Sequence, residues 1–254
     1  MSIELTALER GEPFAGDLAA ALVALQERIA RAQQAQIARR RRSIIVLEGL
    51  EGAGKVAVLK ALAGALDPRF VATHAIAPDR RRSGEGHWLA RFWRDLPSDG
   101  RTILYFHSWY RRVLEDRVLG IVEPGDVERA FDEINEFEAQ QRDHGTLILK
   151  LYFHVTEPVR AERLAAQADD PAAEAMAGPP DLRQAGIRDA YDEAVAHVLA
   201  HTHTRWSPWT AIDANDEGSS TIAAMTAVAE AFEQAFPVVV EGEGIVPFRR
   251  PASA

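Results

Sequence analysis

Apolar positions follow two rhythms along this chain. From 17 to 38 they recur at Leu18, Leu22, Leu25 and Ile29 among Gln and Arg, the spacing of an amphipathic helix. Ser43 to Glu48 is a continuous apolar run, which suits a strand covered on both faces of a sheet. Similar short runs predict strands at Phe70–Ile76, Thr102–Phe106, Thr146–Val155 and Trp209–Asp213. Between them, helical spacing predicts helices over Val56–Leu66, Gly84–Asp95, from about Ser108, Val127–Arg142, Pro158–Gln167, Asp181–Ala200 and Ser219–Phe236. Trp88, Leu89, Phe92 and Trp93 form an aromatic stripe that reads as core, and Gly145 stands where a helix C-terminus needs a left-handed residue. Strands alternating with helices imply an α/β fold, a parallel sheet flanked by helices with right-handed crossovers.

Outside this pattern lie three segments. Residues 1–42 read as an N-terminal helical extension to a main domain over 43–236. Asp169-Asp170-Pro171 and Gly178-Pro179-Pro180 bracket an Ala-rich stretch, giving an expected lid over about 165–182. Residues 237–254 have no period and read as a tail.

Composition narrows the function. The formal net charge is −9, which argues against a general nucleic-acid binder. No apolar run reaches the length of a membrane span, the first residues lack a secretion signal, and there is no Cys, so a cytoplasmic location is the default expectation. Positive charge is concentrated at Arg39–Arg42 and Arg80–Arg82, either of which is more often a solvated cluster than a binding patch.

The chemistry is concentrated where the first strand meets the first internal helix. Gly49, Gly54 and Lys55 have the G-x-x-x-x-G-K spacing of a phosphate-binding (Walker A) loop. In such a loop the amides of Glu51, Gly52, Ala53, Gly54 and Lys55 face an anion at the positive end of a helix. The alternative is a glycine-rich turn that binds nothing. Lys occurs only at 55, 60 and 150, so Lys55 does not reflect a lysine-rich composition. The next residue is Val56, where a hydroxyl would bind Mg²⁺. Near the other end of the chain, His197, His201 and His203 offer weak zinc spacing with no strong third ligand.

Several blocks in order resemble the polyphosphate kinase 2 family: Glu48-Gly49 with Gly54-Lys55, Arg91-Phe92-Trp93 with Leu96-Pro97 and Gly100, Ser108-Trp109-Tyr110 with Arg112, Phe137-Glu138 with Gly145, Leu149-Lys150-Leu151, Asp169-Asp170-Pro171, and Pro208-Trp209. The likeness is strongest to the N-terminal half of two-domain polyphosphate:AMP phosphotransferases. It implies a P-loop kinase-like fold with a lid, phosphoryl transfer between inorganic polyphosphate and a nucleotide, a Mg²⁺ cofactor and a homo-oligomer. By the same resemblance Lys55, Arg112 and Arg163 are the catalytic cations, Arg80 and Arg81 join the loop in holding phosphate, and Glu51 is the Mg²⁺ ligand. Active members of the family end the third strand in Asp-Arg; here Phe106 and His107 occupy those positions, replacing a metal carboxylate by a ring and a permanent cation by what is expected to be a mostly neutral imidazole. Ala165, Gln167, Ala168 and Met176 stand where lid cations are expected. The resemblance therefore implies either a transferase of reduced or lost activity or a non-catalytic phosphate-binding, regulatory or scaffolding relative.

Overall fold

A computed structural model describes residues 3–78, 86–169 and 187–237. The elements, in chain order, are α1 (Leu18–Ala38), β1 (Arg42–Glu48), α2 (Lys55–Ala65), β2 (Val71–Ala75), α3 (Ala90–Arg94), β3 (Thr102–Phe106), α4 (Glu115–Val118), α5 (Pro124–Asp143), β4 (Thr146–His154), α6 (Glu157–Ala168), α7 (Ile187–Thr202), β5 (Trp209–Asp213) and α8 (Glu217–Ala235). Short 3₁₀ turns at Leu5–Leu8 and Trp109–Val113 complete the described residues.

The five strands form one parallel sheet in the order β2-β3-β1-β4-β5. Side chains alternate across a strand, and β1 uses both faces. Ile44 and Val46 join a cluster built with α5, α7 and the aromatic residues Trp88, Phe92 and Trp109. Ile45 and Leu47 join the opposite cluster, built with α1, α2 and α8. A strand buried twice over must be apolar throughout, as the unbroken run at Ser43–Glu48 anticipates.

The expected elements are present, with shifts at their ends. The helix expected at Gly84–Asp95 is the short α3, and the helix expected from Ser108 is a 3₁₀ turn followed by the single-turn α4. The aromatic stripe divides: Trp88, Leu89 and Phe92 are buried while Trp93 is exposed. Gly145 ends α5 with φ 76°, as its position predicts. Residues 79–85, 170–186 and 238–254, which hold Arg80, Arg81, Met176, most of the expected lid and nearly all of the tail, lie outside the described residues.

The sheet orders its ligand end. β1, β3 and β4 finish together at Glu48, Phe106 and Tyr152–His154, the carboxyl edge where open α/β sheets bind ligands.

Candidate active site

The chain leaves β1 through three glycines. Gly49 has φ 144°, and a Cβ there would stand 2.6 Å from the Phe153 carbonyl oxygen, so only glycine lets the loop pass β4. Gly52 and Gly54 also have positive φ and turn the chain into α2. Gly54 is the N-cap of that helix and brings no side-chain acceptor to its first-turn amides. The amides and the positive end of the helix dipole are thereby left to serve an anion.

Lys55 is folded back on this loop. Its ammonium donates to the carbonyls of Gly49 and Leu50, at 2.9 Å for the latter, and lies 5.3 Å over the Phe106 ring. Only 4% of the residue is exposed, and burial lowers its pKa against the opposing pull of Glu115, Glu51 and Glu48. Two arginines of α6 close the loop from the other side. Arg160 donates to the Glu51 carbonyl at 3.1 Å, and Arg163 donates to the Gly52 carbonyl at 3.1 Å and the Asn215 carbonyl at 3.0 Å. Lys55 and Arg163 are therefore adjacent to the loop, each donating to two backbone oxygens. Arg112 belongs to another group: it pairs with Asp126 at 3.4 Å and stacks 5.0 Å over Trp88.

Asn215 links these parts. Its side chain accepts from Thr156 at the start of α6 and donates to the Leu8 carbonyl at 3.1 Å. Residues before α1 thus lie across the ends of β4 and β5: Glu9 meets His154 at 3.0 Å, and the amides of Arg10 and Gly11 both donate to Asp213 at 2.9 Å.

Beneath the loop is a buried charge cluster. Ser108 donates to Glu48 Oε1 at 2.7 Å, while His107 Nδ1 faces Glu48 Oε2 at 3.3 Å and Glu115 Oε1 at 3.2 Å. His107 has φ 56°, an uncommon left-handed backbone for a side-chain residue, at the sharp turn that follows β3. Burial opposes a proton on the ring, but Glu115 and Glu48 outweigh it, and the His107 pKa is raised. Burial likewise pushes Glu115 up, and the charge and hydrogen bond of His107, with the charges of Arg111 and Lys55, together more than reverse this and leave it lowered. Against the expectation of a mostly neutral imidazole, the two flanking carboxylates favour a proton on His107, at the position where the resemblance places an arginine.

Mg²⁺ is bound by one or two carboxylates together with phosphate oxygens. Glu51, on the loop and within electrostatic reach of Lys55, meets the lower number, and Phe106 supplies no second ligand. The three C-terminal histidines do not converge. His197 Nδ1 faces Arg117, His201 Nδ1 the His197 carbonyl and His203 Nδ1 the Trp209 amide. Glu115, Arg160 and Asn215 were not foreseen; only the oddity of acidic residues between Leu114 and Val118 signalled the first.

The family model described as polyphosphate kinase 2 matches residues 15–237. The chain belongs to the polyphosphate kinase 2 family. A polyphosphate:AMP phosphotransferase of Pseudomonas syringae pv. tomato is 34% identical over 193 residues, covering 76% of this chain and 39% of that protein. The ADP-polyphosphate phosphotransferase 2 of Rhizobium meliloti is 30% identical over 197 residues, covering 78% of this chain and 64% of the relative. The crystal structure of polyphosphate kinase 2 from Arthrobacter aurescens TC1 superposes with a TM-score of 0.83 at 25% identity, over 96% of this chain and 90% of that one. A putative polyphosphate kinase 2 from Pseudomonas aeruginosa gives the same TM-score at 29% identity, over 92% of this chain and 50% of that one. The α/β kinase-like fold is therefore that of the family, and the chain spans about two-fifths of the Pseudomonas syringae relative's length. Among the described residues, no helix is long and apolar enough to cross a membrane.

Proposed function

We propose that the chain is a phosphate-binding member of this family in which phosphoryl transfer between inorganic polyphosphate and a nucleotide is reduced or lost. The carrying observation is the place of Lys55: buried, bonded to the carbonyls of its own loop, and packed over Phe106, at the position where the family resemblance implies a metal-binding carboxylate. Phosphoryl transfer depends on positioning and on neutralising charge at the phosphate oxygens. In this reading a phosphate takes the α2 amides and draws Lys55 and Arg163 off the backbone oxygens they now hold. Mg²⁺, when bound, supplies further positive charge to the phosphate and is held by Glu51. Arg112, Arg80 and Arg81 are assigned to charge neutralisation by resemblance alone. One unit charge pair in contact is worth about 4 kcal/mol at an effective dielectric of about 20. Losing even half of that slows transfer more than tenfold.

A second reading, a non-catalytic relative corresponding to the N-terminal half of a two-domain polyphosphate:AMP phosphotransferase, is compatible with a chain that spans about two-fifths of those relatives. The test is an assay with long-chain polyphosphate, Mg²⁺ and AMP, ADP or GDP, run beside pyrophosphate binding. Slow turnover that disappears in Lys55→Ala supports the transferase. Pyrophosphate binding without turnover supports the non-catalytic relative. Neither binding nor turnover in the folded protein overturns both.

A further inference from the structure

We propose that Glu48, His107 and Glu115 form a buried site for a divalent first-row transition ion, with Zn²⁺ the best match, separate from any Mg²⁺ that accompanies phosphate. The three residues are 0%, 7% and 1% exposed, and their candidate ligand atoms lie within 4.8 Å of one another.

Two observations say that a proton alone serves this cluster badly. The first is distance. His107 Nδ1 stands 3.3 Å from Glu48 Oε2 and 3.2 Å from Glu115 Oε1. A single N–H shared between two carboxylates makes two long, weak contacts, whereas a charge-assisted hydrogen bond to one of them would be about 2.7–2.9 Å. Two ligands held about 2.0–2.1 Å from a tetrahedral ion stand roughly 3.3–3.4 Å apart, close to both His107–carboxylate distances. The second is an orphan. Glu115 Oε2 is buried with no hydrogen-bond partner among the described residues, a costly state for a carboxylate oxygen. Lys55 and Arg111, the other cations whose charge reaches Glu115, donate to the Gly49 and Leu50 carbonyls and, through Nε, to Asp116, while Arg111 Nη2 is itself buried without a partner among the described residues.

An ion here would take Nδ1 of the neutral ring, Glu48 Oε2 and the Glu115 carboxylate, with the Ser108 hydroxyl holding Glu48 in orientation through Oε1. One nitrogen and carboxylate oxygens, without sulfur, suit Zn²⁺ or its neighbours. Mg²⁺ is a poor candidate, because it retains several waters and this cluster is enclosed. Binding replaces the imidazolium N–H by a metal–nitrogen bond, so the proton leaves to solvent. The ion would tie the ends of β1 and β3 to α4 under the phosphate loop.

The full chain, freed of metal by chelator and kept free of phosphate, is titrated with ZnCl₂ by calorimetry and with CoCl₂ by visible absorption. The expected result is one ion per chain, proton release, and the intense cobalt spectrum of a four-coordinate site. His107→Arg places at that position the residue the family resemblance implies, which would pair with both carboxylates. It should keep the folded circular dichroism spectrum and weaken binding by about 100-fold or more. If that variant does not fold, Glu115→Gln is read the same way. Absence of binding by the wild type, or equal binding by the variant, overturns the proposal, and neither outcome depends on whether the loop above binds phosphate.

Discussion

At the scale of single residues, the two buried lysines among the described residues are each committed to named acceptors. Lys150 is fully enclosed between the rings of Tyr110 and Trp209, and its ammonium donates to Glu138 at 2.8 Å, the Tyr110 hydroxyl at 3.0 Å and the Thr202 carbonyl at 2.7 Å. Tyr110 and Trp109 in turn donate to Glu138 Oε1. Removing one partner of such a pair leaves a buried charge uncompensated, so Lys150→Met should lose about 3–5 kcal/mol in a urea melt. Phe106 raises the opposite question. Phe106→Asp should draw Lys55 off the loop carbonyls and offer a second carboxylate to Mg²⁺. We expect polyphosphate-dependent turnover to rise by roughly tenfold or more over the wild type. Unchanged turnover in a folded Phe106→Asp protein would mean that the aromatic ring is not what limits transfer.

At the scale of elements, the β1–loop–α2 unit was legible because its demands are local. Apolar residues on both faces require β1 to be central, and the three glycines meet positive-φ backbone needs that favour glycine, with Gly49 leaving no room for a Cβ. Gly49→Ala tests this: positive φ costs about 1–3 kcal/mol, and the 2.6 Å approach to the Phe153 carbonyl adds to it. The midpoint of unfolding should fall while the m-value holds. Where the reading missed, packing had overridden periodicity. Trp88 and Leu89 mimic a helical stripe, yet they precede α3 and pack from irregular backbone into the aromatic cluster with Phe92 and Trp109.

At the scale of the molecule, residues 8–12 fasten across the ends of β4 and β5, and Asp213 is the fastening point. Burial pushes its carboxyl up, but the amides of Asn215, Gly11 and Arg10 more than offset this, and its pKa is lowered. A carboxylate depressed in the folded state stabilises above its unfolded value of about 3.9, and that contribution is lost as pH falls through the folded value. Below the ordinary carboxylate range the strap should therefore release before the sheet unfolds. Hydrogen exchange at Arg10 and Gly11 should accelerate ahead of exchange in β1. Asp213→Asn should produce the same acceleration at neutral pH; simultaneous loss of protection in strap and sheet would contradict the assignment.

By itself the sequence determined the fold class, the order of its elements, the phosphate-loop spacing and the family, because each is written in short-range pattern: period, glycine position and blocks of neighbouring residues. Tertiary structure decided where the charges are spent. Glu48 lies 59 residues before His107, and only the parallel register of β1 with β3 and the turn after β3 bring it into contact with His107 and Glu115. Lys55 rests on the Gly49 and Leu50 carbonyls because packing closes them to solvent, and a buried carbonyl must be paired. No local pattern encodes which of two distant groups satisfies such a need, since that depends on which surfaces the folded chain has closed to water.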